Sequence, residues 1–463
     1  MTRCFLLLIL GALLLSATPG AGSAQRLQEP PVQTAEVADS SLVECPTCIE
    51  KRVDVAVLEV VFINLLAITL NRYWYGAGVD PNTWKANIEH GLEFDDNQFR
   101  ANYIEHPYAG SGYYNAGRSN KMNFWESVPL TFGGSLMFEY FGESHPPSAN
   151  DLITTTLGGI TLGEALYRLS SLVLDNQATG ADRVLREIGA TLINPVRGIN
   201  RLLFGRMGAV GPNYFERHPS FLAMQLTGGA RRIADGTSLD NGTTDAFVEF
   251  DVRYADPFEQ TLRKPFEAFE FAVQISNGTE TTIDRLNIRG SLYGVDIKQG
   301  PGPRHKMVVS LEHDFNLNQE YQYGQNSVNG GLLSDWPLAQ TWSVRTDAVL
   351  EAIPFGAVNT TQKVGRGYDF GVGAGALLKA RLLHRRRSLV EVGYKGVWLH
   401  TIDGVNDSHT LQFWTARVAL PLVGRFGLGA DGVLFLRESQ GASLPGGSQR
   451  SPQLRLYGSW GLE

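Results

Sequence analysis

The distribution of apolar and polar positions divides the chain into stretches of different period. Met1 to Ala24 carries Arg3 near its start, an apolar run from Phe5 to Leu15, and small residues ending in Ala21-Gly22-Ser23-Ala24. That order predicts a secretory signal peptide over residues 1–24, cleaved before Gln25. Residues 25–52 are rich in Pro, Gln, Ser, Thr and Glu without apolar periodicity, and a flexible leader is expected there. Val55 to Leu70 is a 16-residue apolar block with Glu59 and Asn64 near its middle. Both are costly in lipid, so the block is expected to be a helix buried against protein or lying in an interface. Arg72-Tyr73-Trp74-Tyr75 follows, a cationic and aromatic cluster that suits a membrane boundary and would equally cap a soluble core.

Between residues 121 and 205 the period is helical, with breaks expected at Pro129, at His145-Pro146-Pro147 and at Asn194-Pro195. One of these helices places Thr161, Glu164, Arg168, Ser171 and Asp175 on one face and Leu162, Leu166, Leu169 and Val173 on the other. Glu164 and Arg168, four apart, read as an ordinary ion pair on its surface. From about Ser220 the period becomes two. Val248, Phe250, Val252 and Tyr254 alternate with Glu249, Asp251 and Arg253, and Phe269, Phe271, Val273 and Ile275 alternate with Glu270 and Gln274. About twelve such strands of roughly ten residues follow one another, an even number of the length that crosses an outer membrane when tilted.

The fold expected is therefore α+β: a mainly helical region over residues 53–212, then an antiparallel β-barrel of outer-membrane type over 213–463. Turns at His384 to Ser388 and Pro421 to Gly424 are short and suit a periplasmic side. Ile233 to Thr244, Glu351 to Gly367 and Arg437 to Ser451 are expected as longer outward loops, while Ala255 to Pro265 is longer than a periplasmic turn should be. In the last segment Leu454, Leu456, Trp460 and Leu462 share one parity, as in the assembly signal of such barrels, although Glu463 stands where an aromatic residue is usual. The other parity of the strands holds Glu270, Arg289, Arg417, Asp431 and Arg455, which predicts a polar lumen filled by water or by the helical region, the latter docked inside or at the periplasmic mouth.

Composition agrees with a β-rich chain: 51 glycines and 10% aromatic residues among 463. A net charge of −7 provides no global basic field, so nucleic acid is not an expected partner. Outer-membrane lipids and the barrel assembly machinery are. Cys45 and Cys48, as Cys-Pro-Thr-Cys in a polar stretch, are candidates for a local disulfide in an oxidising compartment. A redox role is disfavoured because no strand precedes them.

Between His106 and Ser170 the chain contains His106-Pro107-Tyr108-Ala109-Gly110, Tyr113-Tyr114-Asn115, Arg118-Ser119-Asn120, Trp125-Glu126-Ser127, Ser148-Ala149-Asn150-Asp151-Leu152, Gly158-Gly159 and Leu162-Gly163-Glu164. In these motifs, over about residues 70 to 205, the chain resembles the bacterial domain-of-unknown-function family numbered 3943, whose members are exported envelope proteins without an established activity. The resemblance implies an envelope location and no chemistry.

Taken without the family, His106, Glu126, Glu139 and Asp151 are the candidate acid-base inventory, and Tyr113, Tyr114, Arg118, Asn120, Glu164 and Arg168 a structural or binding motif. Glu139 stands out because Leu136-Met137-Phe138 precede it and Tyr140-Phe141 follow, a context that would raise the pKa of its carboxyl. The bland alternative is a buried carboxylate held by Arg118 or by a tyrosine hydroxyl. A nucleophile elbow, a zinc helix, a P-loop and a dinucleotide fingerprint are absent, and the nine histidines show no ligand spacing, so neither cofactor nor metal is indicated. The reading that follows is a noncatalytic outer-membrane barrel. Its rivals are an envelope enzyme acting on a lipid or cell-wall substrate and a soluble periplasmic binding sandwich.

Overall fold

The computed structural model of the protein describes residues 51–76, 78–278, 282–300, 302–360, 366–441 and 447–462. The expected signal peptide, all but the last two residues of the leader, Cys45, Cys48 and Glu463 lie outside the described residues. The described helices are α1 (Val53–Tyr75), α2 (Pro81–His90), α3 (His106–Ser119), α4 (Phe124–Phe141), α5 (Ala149–Val173), α6 (Gly180–Ile193) and α7 (Pro195–Leu203), with a wider π turn at Ala101–Glu105. The strands are β1 (Leu222–Asp235), β2 (Ser238–Tyr254), β3 (Phe269–Ser276), β4 (Ile283–Lys298), β5 (Arg304–Leu317), β6 (Gln322–Ala339), β7 (Trp342–Asn359), β8 (Tyr368–His384), β9 (Arg387–Asp403), β10 (Asn406–Val423), β11 (Phe426–Gly441) and β12 (Gly447–Leu462).

The twelve strands form one closed antiparallel barrel in sequence order, sealed by β12 on β1 with Leu226 opposite Trp460. No sandwich forms. The end where β1 starts and β12 finishes is called proximal below, and the opposite end distal. Two-residue turns at Arg385-Arg386 and Gly424-Arg425 close the proximal end near the two places expected. The long distal loops do not appear as expected. β1 and β2 are joined by Gly236-Thr237 alone, β7 continues to Asn359, and β11 runs to Gly441. Asp-Gly followed by alternating polar residues favours a tight reversal, and the strands keep their backbone pairing beyond the apolar zone. The longest proximal connection, residues 255–268, begins inside the barrel, where Asp256 accepts from Arg345 Nη2 at 2.6 Å and Lys306 Nζ reaches Gln260 O at 2.6 Å.

Ion pairs between strands far apart in the sheet identify the inner face. Arg381 on β8 reaches Glu270 on β3 at 3.0 Å, Lys395 on β9 reaches Asp314 on β5 at 3.0 Å, and Arg417 on β10 lies 3.5 Å from Glu249 on β2. Such partners can meet only across the lumen, so the polar parity points inward, as expected. These pairs, not the helical region, occupy the middle of the lumen. Distally it is filled by Tyr321, Tyr323, Phe413 and Phe435, with Tyr321 stacked on Phe435 at 4.1 Å.

The opposite parity faces outward, and the helices pack there. Phe250, Phe271, Ile288 and Phe315 join Tyr103, Ile160, Leu166 and Leu169 in one buried cluster, and His313, outward between Glu312 and Asp314, meets the Tyr103 carbonyl at 3.0 Å. The bundle therefore lies along the outer wall of the barrel, a correction to the expected docking in the lumen or at the mouth. The lumen is crossed by its own charge pairs, which leave cavities of about 210 and 220 Å³ between them, and the apolar wall offers the bundle a dry surface. α5 descends this wall from the distal to the proximal end. Sandwiched between wall and bundle, it is buried on both faces, so its Glu164–Arg168 pair is internal and not on the surface. On its far side α3 crosses so closely that a Cβ on Gly110 would stand 1.9 Å from the Thr155 carbonyl oxygen.

α4 does not break at Pro129. The proline sits in its second turn after an Asn123–Glu126 capping box, and only one backbone bond is forfeited. The expected breaks at Pro146-Pro147 and Asn194 are present. α1, expected to be buried against protein or to lie in an interface, buries one face against the bundle, with Ala56, Val60 and Asn64 covered. It turns Glu59 and Asn64 toward the bundle, where Asn120 and Asn200 donate to Glu59 and the Tyr113 hydroxyl to Asn64, and it leaves Val57, Leu58, Phe62, Leu65 and Leu66 exposed. Its 23 residues span about 34 Å, long and apolar enough to cross a membrane.

Candidate functional site

The distal end of the bundle gathers the starts of α3 and α5 and the end of α4. Ser148 caps α5 by accepting from the Asp151 N–H at 3.2 Å, and its own N–H donates to Glu139 Oε2 at 2.8 Å. These local contacts bring Glu139, Glu143 and Asp151 within 4.8 Å of one another. His106 Nε2 stands 3.2 Å from Asp151 Oδ2, and its Nδ1 lies 3.2 Å from the Thr155 hydroxyl. Asn97 donates to Asp151 at 2.9 Å, and Asn150 donates to Asp95 at 2.7 Å and to Asp151 at 2.9 Å. The cluster is tied to the barrel because Asn102 donates to the Tyr368 hydroxyl and Arg366 to the Asp95 carbonyl.

Of the four acid-base candidates, the structure thus joins His106, Glu139 and Asp151. Glu126 lies at the other end of α4, where it closes the capping box and pairs with Lys51 at 2.5 Å. Glu143 completes the group although it was not singled out in the sequence, since the Gly142–Pro147 turn that folds it inward has no periodic signal. Burial raises its carboxyl above the ordinary range, with His145 at 3.4 Å opposing. The three carboxylates form an oxygen donor set of the kind that hard cations accept. Glu139 is only 1% exposed, so a substrate has no direct access to it.

Among the described residues no cation holds Glu139, contrary to the expectation that Arg118 or a tyrosine would. Arg118 belongs to a second cluster, nearer the proximal end, around Glu164. There Tyr114 donates to Glu164 Oε2 at 2.8 Å, Arg118 Nε to the same oxygen at 2.8 Å, and Arg168 Nε to Oε1 at 2.8 Å, while Arg168 Nη2 reaches the Pro265 carbonyl at 2.9 Å. Every oxygen of this carboxylate is used, which makes the group structural: it fastens α3 and α5 to the 255–268 connection of the barrel. Tyr113 and Asn120 serve the seam with α1. Glu139→Gln, which relieves a like-charge contact without orphaning a cation, is expected to leave thermal stability unchanged or raised in a detergent melt. A loss above about 1 kcal/mol would show instead that the ionised carboxylate is held by a partner.

The model of a family described as a domain of unknown function, DUF3943, matches residues 91–196, within the span where the resemblance was noted. No curated protein matches the chain. Among solved structures, the chain is similar to the outer membrane channel DcaP of Acinetobacter baumannii, at 8% identity and TM-score 0.24 over 52% of this chain and 96% of that one. It is similar to an outer membrane channel from Pseudomonas putida F1, at 12% identity and TM-score 0.29 over 55% and 100%. The NanC porin matches at 9% identity and TM-score 0.28 over 51% and 98%.

Proposed function

We propose that this chain is an integral outer-membrane protein in which barrel and helical bundle stand side by side in one bilayer, with a lumen held shut, and that it serves the envelope through lipid contact and structure. One observation carries the reading: the exposed surface of both parts is a single apolar belt. On the barrel it includes Leu350, Leu378, Val392, Trp414, Leu428 and Leu456; on the bundle it includes Phe62 and Leu66 of α1 and Phe132 of α4. Aromatic residues rim the belt on both parts, Trp125, Trp336, Trp342 and Phe426 proximally and Trp74, Trp84 and Trp398 distally. An apolar surface of that extent would be insoluble in water, whereas a closed barrel and helices satisfy every backbone group in lipid. A barrel of this kind is a feature of outer membranes, and its insertion falls to the barrel assembly machinery.

The enzyme reading is not favoured, since Glu126 lies far from the other three candidates and their carboxylates are covered. Cell fractionation followed by gel electrophoresis tests the proposal. The protein is expected with outer membranes and is expected to migrate differently before and after heating, and the purified form should not conduct ions in a planar bilayer. Recovery in the periplasmic supernatant would refute the membrane placement, and a steady open conductance would refute the closed lumen.

A further inference from the structure

We propose that the proximal end of the bundle contains a binding site for a phosphate oxyanion. A cleft of about 30 Å³ there is lined by Arg52, Arg118, Lys121, Arg197, Arg201 and Arg206 and by no acidic side chain. Arg118 is neutralised by Glu164 and Arg201 by Glu187, at 2.8 and 2.6 Å. Of the other four, Lys121, Arg197 and Arg206 have no carboxylate partner among the described residues, and Arg52, whose Nη2 donates to Asn120, feels the charge of Glu59 without a direct ion pair. Arg197 is the anchor. It is 3% exposed, lies between the rings of Tyr167 and Tyr214 at 4.3 and 4.2 Å, and spends Nη1 on the Tyr167 carbonyl and the Ser170 and Ser171 hydroxyls. Its Nη2 is buried without a partner, and so are Nε of Arg52 and Nε of Arg206.

A buried guanidinium without a counter-charge is strongly unfavourable, and three orphaned donors around one small space call for an acceptor with several oxygens. The space admits two or three water-sized groups, so it takes two or three of the four oxygens of a tetrahedral ion. Planar arginine forks match phosphate better than a halide or a single carboxylate. The local field is positive: although burial raises the Tyr214 phenol, Arg197 and Arg201 bring it below its ordinary value. Around the cleft Leu202 and Leu203 of α7, Phe204 just after it, and Val53 and Val57 of α1 are exposed. That rim suits the phosphate of a lipid headgroup, and a phosphate-bearing solute offers the same chemistry.

Titration of the full-length protein in neutral detergent with inorganic phosphate, at constant ionic strength in chloride, tests the site without reference to the membrane placement. Saturable binding of one phosphate per chain is expected, weakened about tenfold or more in the Lys121→Gln/Arg206→Gln double variant. Those two side chains carry no structural ion pair, and an unchanged melting temperature without phosphate confirms that the variant folds. Absence of saturable binding, or equal affinity in the double variant, overturns the proposal, as does full displacement by the chloride present. Reconstitution into vesicles of phosphatidylcholine with phosphatidylglycerol, followed by mass spectrometry of retained lipid, separates the sources. Retention of phosphatidylglycerol by the wild type but not by the double variant assigns the site to a lipid headgroup. Phosphate binding without such retention supports the site and assigns it to a soluble phosphate compound.

Discussion

Ile288→Arg is expected to abolish assembly of the protein, while Asn287→Arg, one position earlier on β4, is tolerated. Ile288 is 0% exposed on the outward face, pressed against the bundle. An arginine there loses the buried isoleucine, overfills the seam and has no counter-charge. A lipid-facing arginine at mid-membrane already costs about 2–4 kcal/mol, and overpacking adds about 1–3 kcal/mol. Asn287 faces the lumen beside Glu312 at 3.2 Å, where a cation gains a partner. Phe250 and Phe271 share the face of Ile288, and Asp251 and Glu270 that of Asn287, so arginine at those positions should sort the same way. Val392→Arg, 50% exposed on the uncovered wall, should fall between, at the lipid-facing cost alone. The readout is the heat-modifiable fraction in outer membranes. Equal yields for the two β4 variants would mean that the faces are misassigned.

Glu164→Gln is expected to destabilise the bundle by about 3–5 kcal/mol, the usual consequence of removing one member of a buried ion-paired group. Glu164 is 0% exposed and receives Tyr114, Arg118 and Arg168. Glutamine keeps some hydrogen bonding but leaves two guanidiniums facing a neutral amide. Because Arg168 also holds the Pro265 carbonyl, the 255–268 connection should become accessible to protease in the variant before the barrel unfolds. Denaturant titration in detergent, read by tryptophan fluorescence and by limited proteolysis, measures both effects. A change below about 1 kcal/mol with an intact connection would show that the cluster is not the fastening described.

Glu164 and Glu139 show how unevenly such sites can be read. Both are acidic residues among apolar helical neighbours; the sequence paired Glu164 with Arg168 but offered Arg118 to Glu139, whereas Arg118 also belongs to Glu164. Arg118, 46 residues before Glu164, is brought to it by the α3–α5 crossing, which depends on Gly110 lying against Thr155. Glu139 receives instead a backbone N–H, Glu143 and Asp151, all set by the turn between α4 and α5. His106 could be grouped with Asp151 as a candidate, but their 3.2 Å approach is a product of the same crossing. The phosphate cleft was missed because its cations come from four separate segments and carry no common period.

What the chain decides by itself is local and periodic. The alternation from Val248 to Tyr254 and from Phe269 to Ile275 assigns each strand residue to one of two faces, because strand geometry leaves no third direction. The export signal, the number of strands and the polarity of the lumen follow from such patterns, and the first of these remains an expectation. The tertiary structure decides what covers an apolar face. Ile288 meets α5 and Val392 lies open, yet both are β-branched residues in alternating strands, and transfer out of water stabilises each in the same way whether the neighbour is a helix or a lipid chain. It likewise decides that Glu59 and Asn64 of α1 turn inward and leave an apolar helix outside, since hydrogen-bond partners more than fifty residues away are invisible to a period.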